Sequence, residues 1–262
     1  MTRVLLLKNR TTPDDAYEQN FLSKEFDPVF IPLIKHTHLP AQALQLFQND
    51  EYLSSLQNII ITSQRTVECL NESIMPLLSE KQLFELRNKT VYTVGPATQV
   101  FLQRCGFTDV RGGPDAGNGD ILASLIISEL FGSGNSNSLE YPELLFLVGE
   151  TRRDIIPKKL NEAGLKVQEI VTYKTESLSD NLGRFKFYCT PFCWVVFFSS
   201  QGTEEIVKYL KNHPDSKIAS IGPTTDRYLL TKGLKSNLVS SKPEPLSLIN
   251  AMIDFKDTHN DT

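Results

Sequence analysis

Hydroxyl side chains follow four predicted strands, at the turns where each strand leads into a helix. Ligands of parallel α/β sheets bind beyond the carboxyl ends of the strands, and helix N-termini present unpaired N–H groups and partial positive charge to anions. Helix capping explains a Ser or Thr in any single turn, but four turns in two matched pairs favour a shared carboxylate or phosphate site. The residues predicted to bind that ligand are Thr62, Ser63, Gly95, Thr98, Ser199, Ser200, Gly222, Thr224 and Thr225.

Cationic and aromatic side chains lie at three further strand ends. Lys8 ends the predicted strand VLLLK, and Arg152 and Arg153 follow another strand in the sequence GETRRD. These cations are candidates for carboxylate capture, and the alternative for the arginines is a solvated helix start. Tyr173 ends the predicted strand VQEIVTY. It either packs as an amphipathic side chain or donates a proton or hydrogen bond to a leaving group.

The sequence lacks the motifs that mark nucleotide, metal and nucleic-acid sites. Neither a Walker sequence nor a G-x-G-x-x-G after a strand is present, so nucleotide binding is poorly supported. The four cysteines form no C-x-x-C pair, which favours buried, reduced thiols over zinc ligands, and no metal is predicted. The net charge of −4 argues against a basic nucleic-acid surface over the whole protein.

Apolar runs alternate with helix-patterned segments along the chain, which predicts an α/β fold with parallel sheets. The order of turn and helix is also repeated in sequence. TSQRTVECL at 62–70 resembles SSQGTEEIV at 199–207, and GPAT at 95–98 resembles GPTT at 222–225. The repeat predicts two sheet domains built on one plan. Within this pattern a helix is expected over 119–130, capped by Asp120.

Proline-containing and polar stretches near 36–40 and 174–181 are the predicted domain crossovers. The chain is expected to leave the first domain, build the second and return, which gives a discontinuous domain of residues 1–36 plus 174–262 and a second domain of residues 37–173. A loop is expected over 132–143 and a frayed tail over 256–262.

The amino-terminal apolar run stops at Lys8, too early for a signal peptide or a membrane span. With 40% apolar and 22% charged residues, the composition is that of an ordinary globular protein. A cytoplasmic location and no membrane contact are therefore expected.

Taken in order, VLLLK, IITSQRTVE, VYTVGPAT, LLFLVGETRRDIIPKKLNEAGLKVQEIVTYKT, VVFFSSQGTEEIV and IASIGPTT resemble the uroporphyrinogen III synthase family, most closely its eukaryotic members. The resemblance covers nearly the whole chain. It implies two flavodoxin-like parallel-sheet domains joined by a two-stranded linker, the first domain discontinuous. It also implies cyclisation of the linear tetrapyrrole hydroxymethylbilane, with loss of water and inversion of ring D, without a metal or organic cofactor.

The resemblance further implies which residues act on a substrate that carries eight carboxylates. Tyr173 matches the family's candidate for assisting departure of the hydroxyl group, and Ser63 follows from the internal repeat. Lys8, Arg152 and Arg153 are inferred from charge and position. The cleft hydroxyls that match by motif position are Thr98, Ser199, Thr224 and Thr225.

The implied protein is a monomer whose partners are the small-molecule substrate and, transiently, the preceding enzyme of the pathway. Two alternatives from other classes remain open. One is a two-domain module that binds an anionic small molecule without turnover. The other is a regulatory member of the family, although no helix-turn-helix or basic extension is evident in the sequence.

Overall fold

A computed structural model describes residues 1–11, 14–132 and 144–259. The chain divides into two compact units, one of residues 1–35 with 176–262 and one of residues 36–175. The predicted fold class, α/β with two parallel-sheet domains and a discontinuous first domain, is confirmed. Most of the predicted loop at 132–143 and the last residues of the predicted tail lie outside the described residues.

The strands, in chain order, are β1 (Thr2–Leu7), β2 (Phe26–Phe30), β3 (Ile34–His38), β4 (Asn58–Ile61), β5 (Thr90–Val94), β6 (Asp109–Gly113), β7 (Leu144–Gly149), β8 (Val167–Ser177), β9 (Trp194–Phe197), β10 (Lys217–Ser220) and β11 (Leu238–Val239).

The α-helices are α1 (Ala16–Ser23), α2 (Ala41–Gln48), α3 (Asp50–Ser55), α4 (Gln64–Cys69), α5 (Glu80–Arg87), α6 (Pro96–Arg104), α7 (Gly119–Gly132), α8 (Ile155–Glu162), α9 (Asn181–Tyr188), α10 (Glu204–Lys211), α11 (Pro223–Thr231) and α12 (Pro245–His259). A π-helical turn at Leu70–Ile74 and a 3-10 turn at Met75–Leu77 follow α4. Since α12 continues to His259, the tail is helical further than expected.

The first unit contains a five-stranded sheet of order β11-β10-β9-β1-β2, and its neighbouring strands are parallel. Successive residues of β1 and β9 point to opposite faces, and both faces are covered by apolar clusters. Leu5 and Val195 belong to one cluster, whereas Leu6 and Val196 belong to the other. Burial on both faces explains why these strands read as continuous apolar runs.

The second unit contains a six-stranded sheet of order β3-β8-β7-β4-β5-β6. The pairs formed among strands β4 to β8 are all parallel. Strand β3 runs antiparallel to β8, because Leu39 bonds to Thr172 while His36, three residues earlier, contacts Thr175, three residues later. The chain passes between the two units within β3 and within β8, so these two strands form the predicted linker.

Both sheets follow one spatial plan. The sequence repeat pairs β4 with β9 and β5 with β10, and in each sheet these strands are adjacent in the same order. The reversal of strand order falls between β1 and β9 in the first unit and between β4 and β7 in the second. Doubly wound sheets bind ligands at that reversal, beyond the carboxyl ends of the strands.

Candidate functional site

A cavity of about 670 Å³ lies at the strand-order reversal of the second unit. Thr62 and Ser63 reach it from the end of β4, and Gly149 reaches it from the end of β7. Tyr173 contributes from β8. Three of the predicted residues, Thr62, Ser63 and Tyr173, are therefore brought together with Arg152 and Arg153 around one space.

Tyr173 and Ser63 form the polar centre of this wall. The Tyr173 hydroxyl lies 3.1 Å from Ser63 Oγ, within hydrogen-bond distance. Ser63 is also the N-cap of α4, because its Oγ accepts a hydrogen bond from the backbone N–H of Arg65. The capping role and the site role expected for Ser63 thus belong to the same hydroxyl, which the helix start holds in a defined direction.

A β-bulge aims the Tyr173 ring. In the β7–β8 pair, Val148 lies opposite Val171, but the next residue, Gly149, lies opposite Tyr173, so one residue of β8 is left over. That extra residue, Thr172, is fully buried and donates its hydroxyl to the carbonyl of Val148. The Tyr173 ring then lies against Gly149, where a Cβ atom would be only 2.5 Å from the ring's Cζ.

His36 flanks the same tyrosine. Its ring meets the Tyr173 ring edge-on at a centroid distance of 6.4 Å, and its Nδ1 lies 3.0 Å from Thr175 Oγ1. Burial, together with the charge of Arg65, lowers the pKa of His36 below its ordinary value. A neutral imidazole therefore stands beside Tyr173 near pH 7.

The two arginines at the cavity differ in their partners. Arg152 is paired with Glu169 through Nε at 2.6 Å, so part of its charge is already compensated. Arg153 lines the cavity, and the described part of the chain provides it with no ion pair. Since an uncompensated guanidinium is the stronger attractor for a carboxylate, Arg153 is the better candidate of the two for anion capture.

Sequence reasoning missed the third wall of the cavity. Gly117, Asn118 and Gly119 line it at the start of α7. Asn118 Oδ1 accepts hydrogen bonds from the backbone N–H groups of Asp120 and Ile121, both at 3.0 Å. Asn118 is therefore the cap of this helix, and the expectation for Asp120 was wrong because its carboxylate is paired with Lys159 instead. The Asn-Gly sequence before a helical pattern was the available signal.

The turn at Gly95 to Thr98 has a structural explanation in its backbone. Gly95 has a φ of +76°, a conformation that favours glycine. Its N–H donates to the carbonyls of Gly113 and Ala116, so it is already used within the turn. Thr98 lies in the first turn of α6 and is buried. The binding role expected for Gly95 and Thr98 stays a prediction.

In the first unit, Ser199 and Ser200 are exposed after β9, and Ser199 Oγ accepts a hydrogen bond from Gln201 N–H. The following helix, α10, begins with Glu204 and Glu205. Two carboxylates in the first turn already satisfy the positive end of that helix. Any anion bound here must therefore rely on the serine hydroxyls and not on the helix terminus.

The turn at Gly222 to Thr225 is more open. Gly222 is the N-cap of α11, and no described atom lies within 4 Å of the position that a Cβ would take there. Thr224 is exposed, whereas Thr225 is buried with its Oγ1 3.5 Å from the carbonyl of Phe198. Thr224 is thus placed to meet a ligand, and Thr225 is placed to support the turn.

Lys8 lies at the strand-order reversal of the first unit with its charge already paired. Its ammonium contacts the carboxylate of Asp15, which is 1% exposed. Burial raises the pKa of Asp15, but hydrogen bonds from Lys8 and from backbone N–H groups outweigh burial and hold the pKa below its ordinary value. The rings of Tyr17, Phe30 and Phe198 surround the ammonium at 5.0 to 5.7 Å.

Within the described ranges, no cluster of three or more His, Cys, Asp or Glu residues is arranged to hold a metal ion. No helix among the residues described is long and apolar enough to cross a membrane. The fold and the cavity define a doubly wound α/β protein with a candidate small-molecule site lined by hydroxyl, guanidinium and phenol groups.

Comparison with known proteins assigns the family. Residues 15–250 match the model of the family described as uroporphyrinogen-III synthase HemD. The chain is 53% identical to the uroporphyrinogen-III synthase of Saccharomyces cerevisiae, over 95% of each chain. It is 32% identical to that of Schizosaccharomyces pombe, over 99% of this chain and 100% of the relative. The chain belongs to the uroporphyrinogen-III synthase family, and the resemblance predicted from the ordered motifs is confirmed.

Solved structures give the same fold. The uroporphyrinogen-III synthetase of Helicobacter pylori superposes with a TM-score of 0.64 at 18% identity, over 97% of this chain and 99% of that one. A mutant synthase of Thermus thermophilus gives a TM-score of 0.53 at 14% identity, over 99% of this chain and 100% of that one. At these identities the likeness shows the fold alone.

Proposed function

We propose that this protein is a uroporphyrinogen III synthase, which closes hydroxymethylbilane to uroporphyrinogen III with loss of water and inversion of ring D. Membership of the family and the 53% identity to the yeast relative support the activity. The observation that carries the site assignment is the cavity that the paired Tyr173 and Ser63 hydroxyls line together with Arg153.

The cavity suits the chemistry that the family resemblance implies. Departure of the hydroxyl group from the substrate gives an azafulvene, and the leaving oxygen carries negative charge as its bond to carbon breaks. The Tyr173 hydroxyl donates a hydrogen bond to that oxygen, while Ser63 holds the phenol in position from behind. Ring D then attacks to give a spiro intermediate, which rearranges and closes.

Binding supplies most of the catalytic effect in this proposal. Hydroxymethylbilane also cyclises unaided to the wrong isomer, so the enzyme must hold one conformation and exclude water. The substrate's carboxylates are bound by Arg153, by Thr62 and by the hydroxyl-bearing turns, with Arg152 secondary because Glu169 already pairs with it. No metal or organic cofactor is part of the proposed reaction.

The finer assignments are also part of the proposal. The enzyme's domains are residues 1–36 plus 174–262 and residues 37–173, which the two compact units support. The enzyme is a cytoplasmic monomer that meets the preceding enzyme of the pathway only transiently. The family resemblance supports the monomeric state, and the free thiols at all four cysteines support a reducing compartment.

The activity is tested with freshly generated hydroxymethylbilane. Purified protein is incubated with it, and the products are oxidised and separated by isomer. Isomer III in excess, formed faster than with heat-inactivated protein, is the expected result. Isomer I alone, at the rate of the uncatalysed reaction, would overturn the proposal, and binding without turnover would favour the anion-binding module instead.

A further inference from the structure

Two thiols and a serine hydroxyl meet at the amino edge of the first sheet, away from the strand ends considered above. Cys189 follows α9 and Cys193 precedes β9, and their Sγ atoms lie 3.8 Å apart. Ser216 Oγ, just before β10, lies 3.8 Å from the first sulfur and 3.6 Å from the second. Nothing in the proposed reaction uses this cluster.

The connection between the two cysteines is short and strained. Phe192, the residue before Cys193, has a φ of +62°, which bulky side chains seldom adopt. Its N–H is fixed to the carbonyl of Asp215, and the N–H of Cys193 bonds to the carbonyl of Thr190. These bonds hold the backbone in the conformation that turns both thiols toward each other. Strain retained at one position in this way is a common mark of a functional site.

The cluster is also accessible to small molecules. Cys189 is partly exposed, and Cys193, although only 2% exposed, lines a surface recess of about 440 Å³ together with Thr190, Pro191 and Phe192. We propose that Cys189 and Cys193 form a reactive dithiol that a small hydroperoxide converts to an intramolecular disulfide.

The electrons and atoms of this reaction balance with one peroxide. With hydrogen peroxide, the thiolate sulfur of Cys193 attacks one oxygen, the O–O bond breaks, and the departing hydroxide takes up a proton to leave as water. Cys193 is then a sulfenic acid. The sulfur of Cys189 attacks it, the S–O bond breaks, and the oxygen leaves as a second water. Two thiols lose two electrons in total, and the peroxide gains them.

The surroundings support Cys193 as the first sulfur to react. A hydrogen bond from the Cys189 thiol, aided by one from Ser216, lowers the pKa of Cys193 below its ordinary value, which favours its thiolate at neutral pH. The other two cysteines provide an internal contrast. Burial raises the pKa of Cys69 to about 11 and also raises the pKa of Cys105.

Mass spectrometry tests the proposal on the full-length protein. After reductant is removed, the protein is treated with hydrogen peroxide, the remaining thiols are alkylated, and the tryptic peptide of residues 187–208 is weighed, since both cysteines lie within it. The expected peptide is lighter by two hydrogens and unalkylated. Chymotryptic cleavage after Phe192 should leave its halves joined, and dithiothreitol should restore both alkylation sites.

The kinetics distinguish this dithiol from ordinary thiols. At pH 7, peroxide should oxidise Cys189 and Cys193, and so protect them from alkylation, at least about tenfold faster than it oxidises Cys69 and Cys105. The reason is that only a few per cent of an ordinary thiol is ionised. In the Cys189→Ser variant, oxidation should stop at oxygen adducts of Cys193, because no second thiol is there to form the disulfide. Cys105→Ala, the matched control, should leave disulfide formation unchanged. Any of three results would overturn the proposal. All four thiols could be lost at the same rate, the unmutated protein could form oxygen adducts in place of the disulfide, or the protein could stay reduced at peroxide levels that oxidise glutathione.

Discussion

Replacing Gly149 by alanine tests whether the bulge in β8 positions Tyr173 for the reaction. An added Cβ would lie 2.5 Å from Tyr173 Cζ and 2.7 Å from its hydroxyl oxygen. Carbon atoms in contact stay about 3.5–4.0 Å apart, so the ring must move by roughly 1 Å. The Ser63 hydroxyl is 3.1 Å from the phenol at present, and a shift of that size breaks this hydrogen bond.

The expected cost appears mainly in kcat. A misplacement of about 1 Å at a reacting group can cost on the order of 10²-fold in rate, but a reaction that proceeds unaided should lose less. We therefore expect Gly149→Ala to lower kcat about tenfold, with a smaller change in KM. Tyr173→Phe, which removes the hydroxyl itself, should give a comparable modest loss. Crowding at Gly149 should also lower the free energy of unfolding by about 1–3 kcal/mol.

Initial rates of formation of the type III isomer, measured for both variants and for their combination, check the reasoning. The double variant should be no slower than Tyr173→Phe alone, because alanine at 149 acts through the phenol. Gly117→Ala is the matched control, since Gly117 lines the same cavity and no described atom lies within 4 Å of its added Cβ. A normal kcat for Gly149→Ala, or losses that multiply in the double variant, would refute a positioning role.

Three further predictions concern charge and capping. Arg153→Ala should raise KM for hydroxymethylbilane about tenfold, as expected for loss of one charge-assisted hydrogen bond. Arg152→Ala should raise KM by less, because the Arg152 side chain is already paired with Glu169. Equal effects of the two substitutions would contradict the assignment. Asp15→Asn leaves the Lys8 ammonium without its buried partner and should destabilise the protein by about 3 kcal/mol in urea unfolding at pH 7. The pKa of Asp15 in the folded protein lies below its ordinary value of 3.8. The difference in unfolding free energy between the unmutated protein and Asp15→Asn should therefore have its full size above pH 3.8 and should shrink as the pH falls through the folded pKa. A difference that persists at lower pH would argue against the ion pair. Thr225→Ala should change the melting temperature little, since the Thr225 hydroxyl makes only a 3.5 Å contact. A large fall in kcat/KM at unchanged stability would show ligand binding, whereas parallel losses of activity and stability would show that Thr225 supports the turn.

The sheets could be predicted from sequence because their strands are buried on both faces and their turns are repeated. Continuous apolar runs such as VLLLK give a strong local signal. The repeat at 62–70 and 199–207 placed β4 and β9 in corresponding positions, and the structure gives them the same neighbours in their sheets. The sequence pattern over residues 41–56 is typical of one helix, but the structure has two, since Asn49 ends α2 and caps α3. The spacing of apolar residues does not reveal an asparagine that ends one helix and caps the next.

The contacts that organise the candidate site could not be predicted in this way. The register shift that places Gly149 against Tyr173 depends on pairing between two strands, and neither strand alone signals a bulge. The partner of Lys8 was likewise hidden, because Asp15 reads as an ordinary helix cap and its burial is set by the packing around it. Sequence therefore indicated which residues lie at strand ends, while their individual partners required the folded chain.

The two strand-order reversals show why equivalent positions in a repeated plan need not be equivalent sites. In the first unit, the Lys8 ammonium, its carboxylate partner and the Phe198 ring come together beyond β1 and β9. Because the Lys8 ammonium is already paired and packed among aromatic rings, it has little charge left to attract a ligand. In the second unit, the corresponding space beyond β4 and β7 is a cavity of about 670 Å³ with Arg153 at its wall. The repeat therefore predicts where a ligand could bind, and the side chains that occupy each reversal favour the second unit as the place where chemistry occurs.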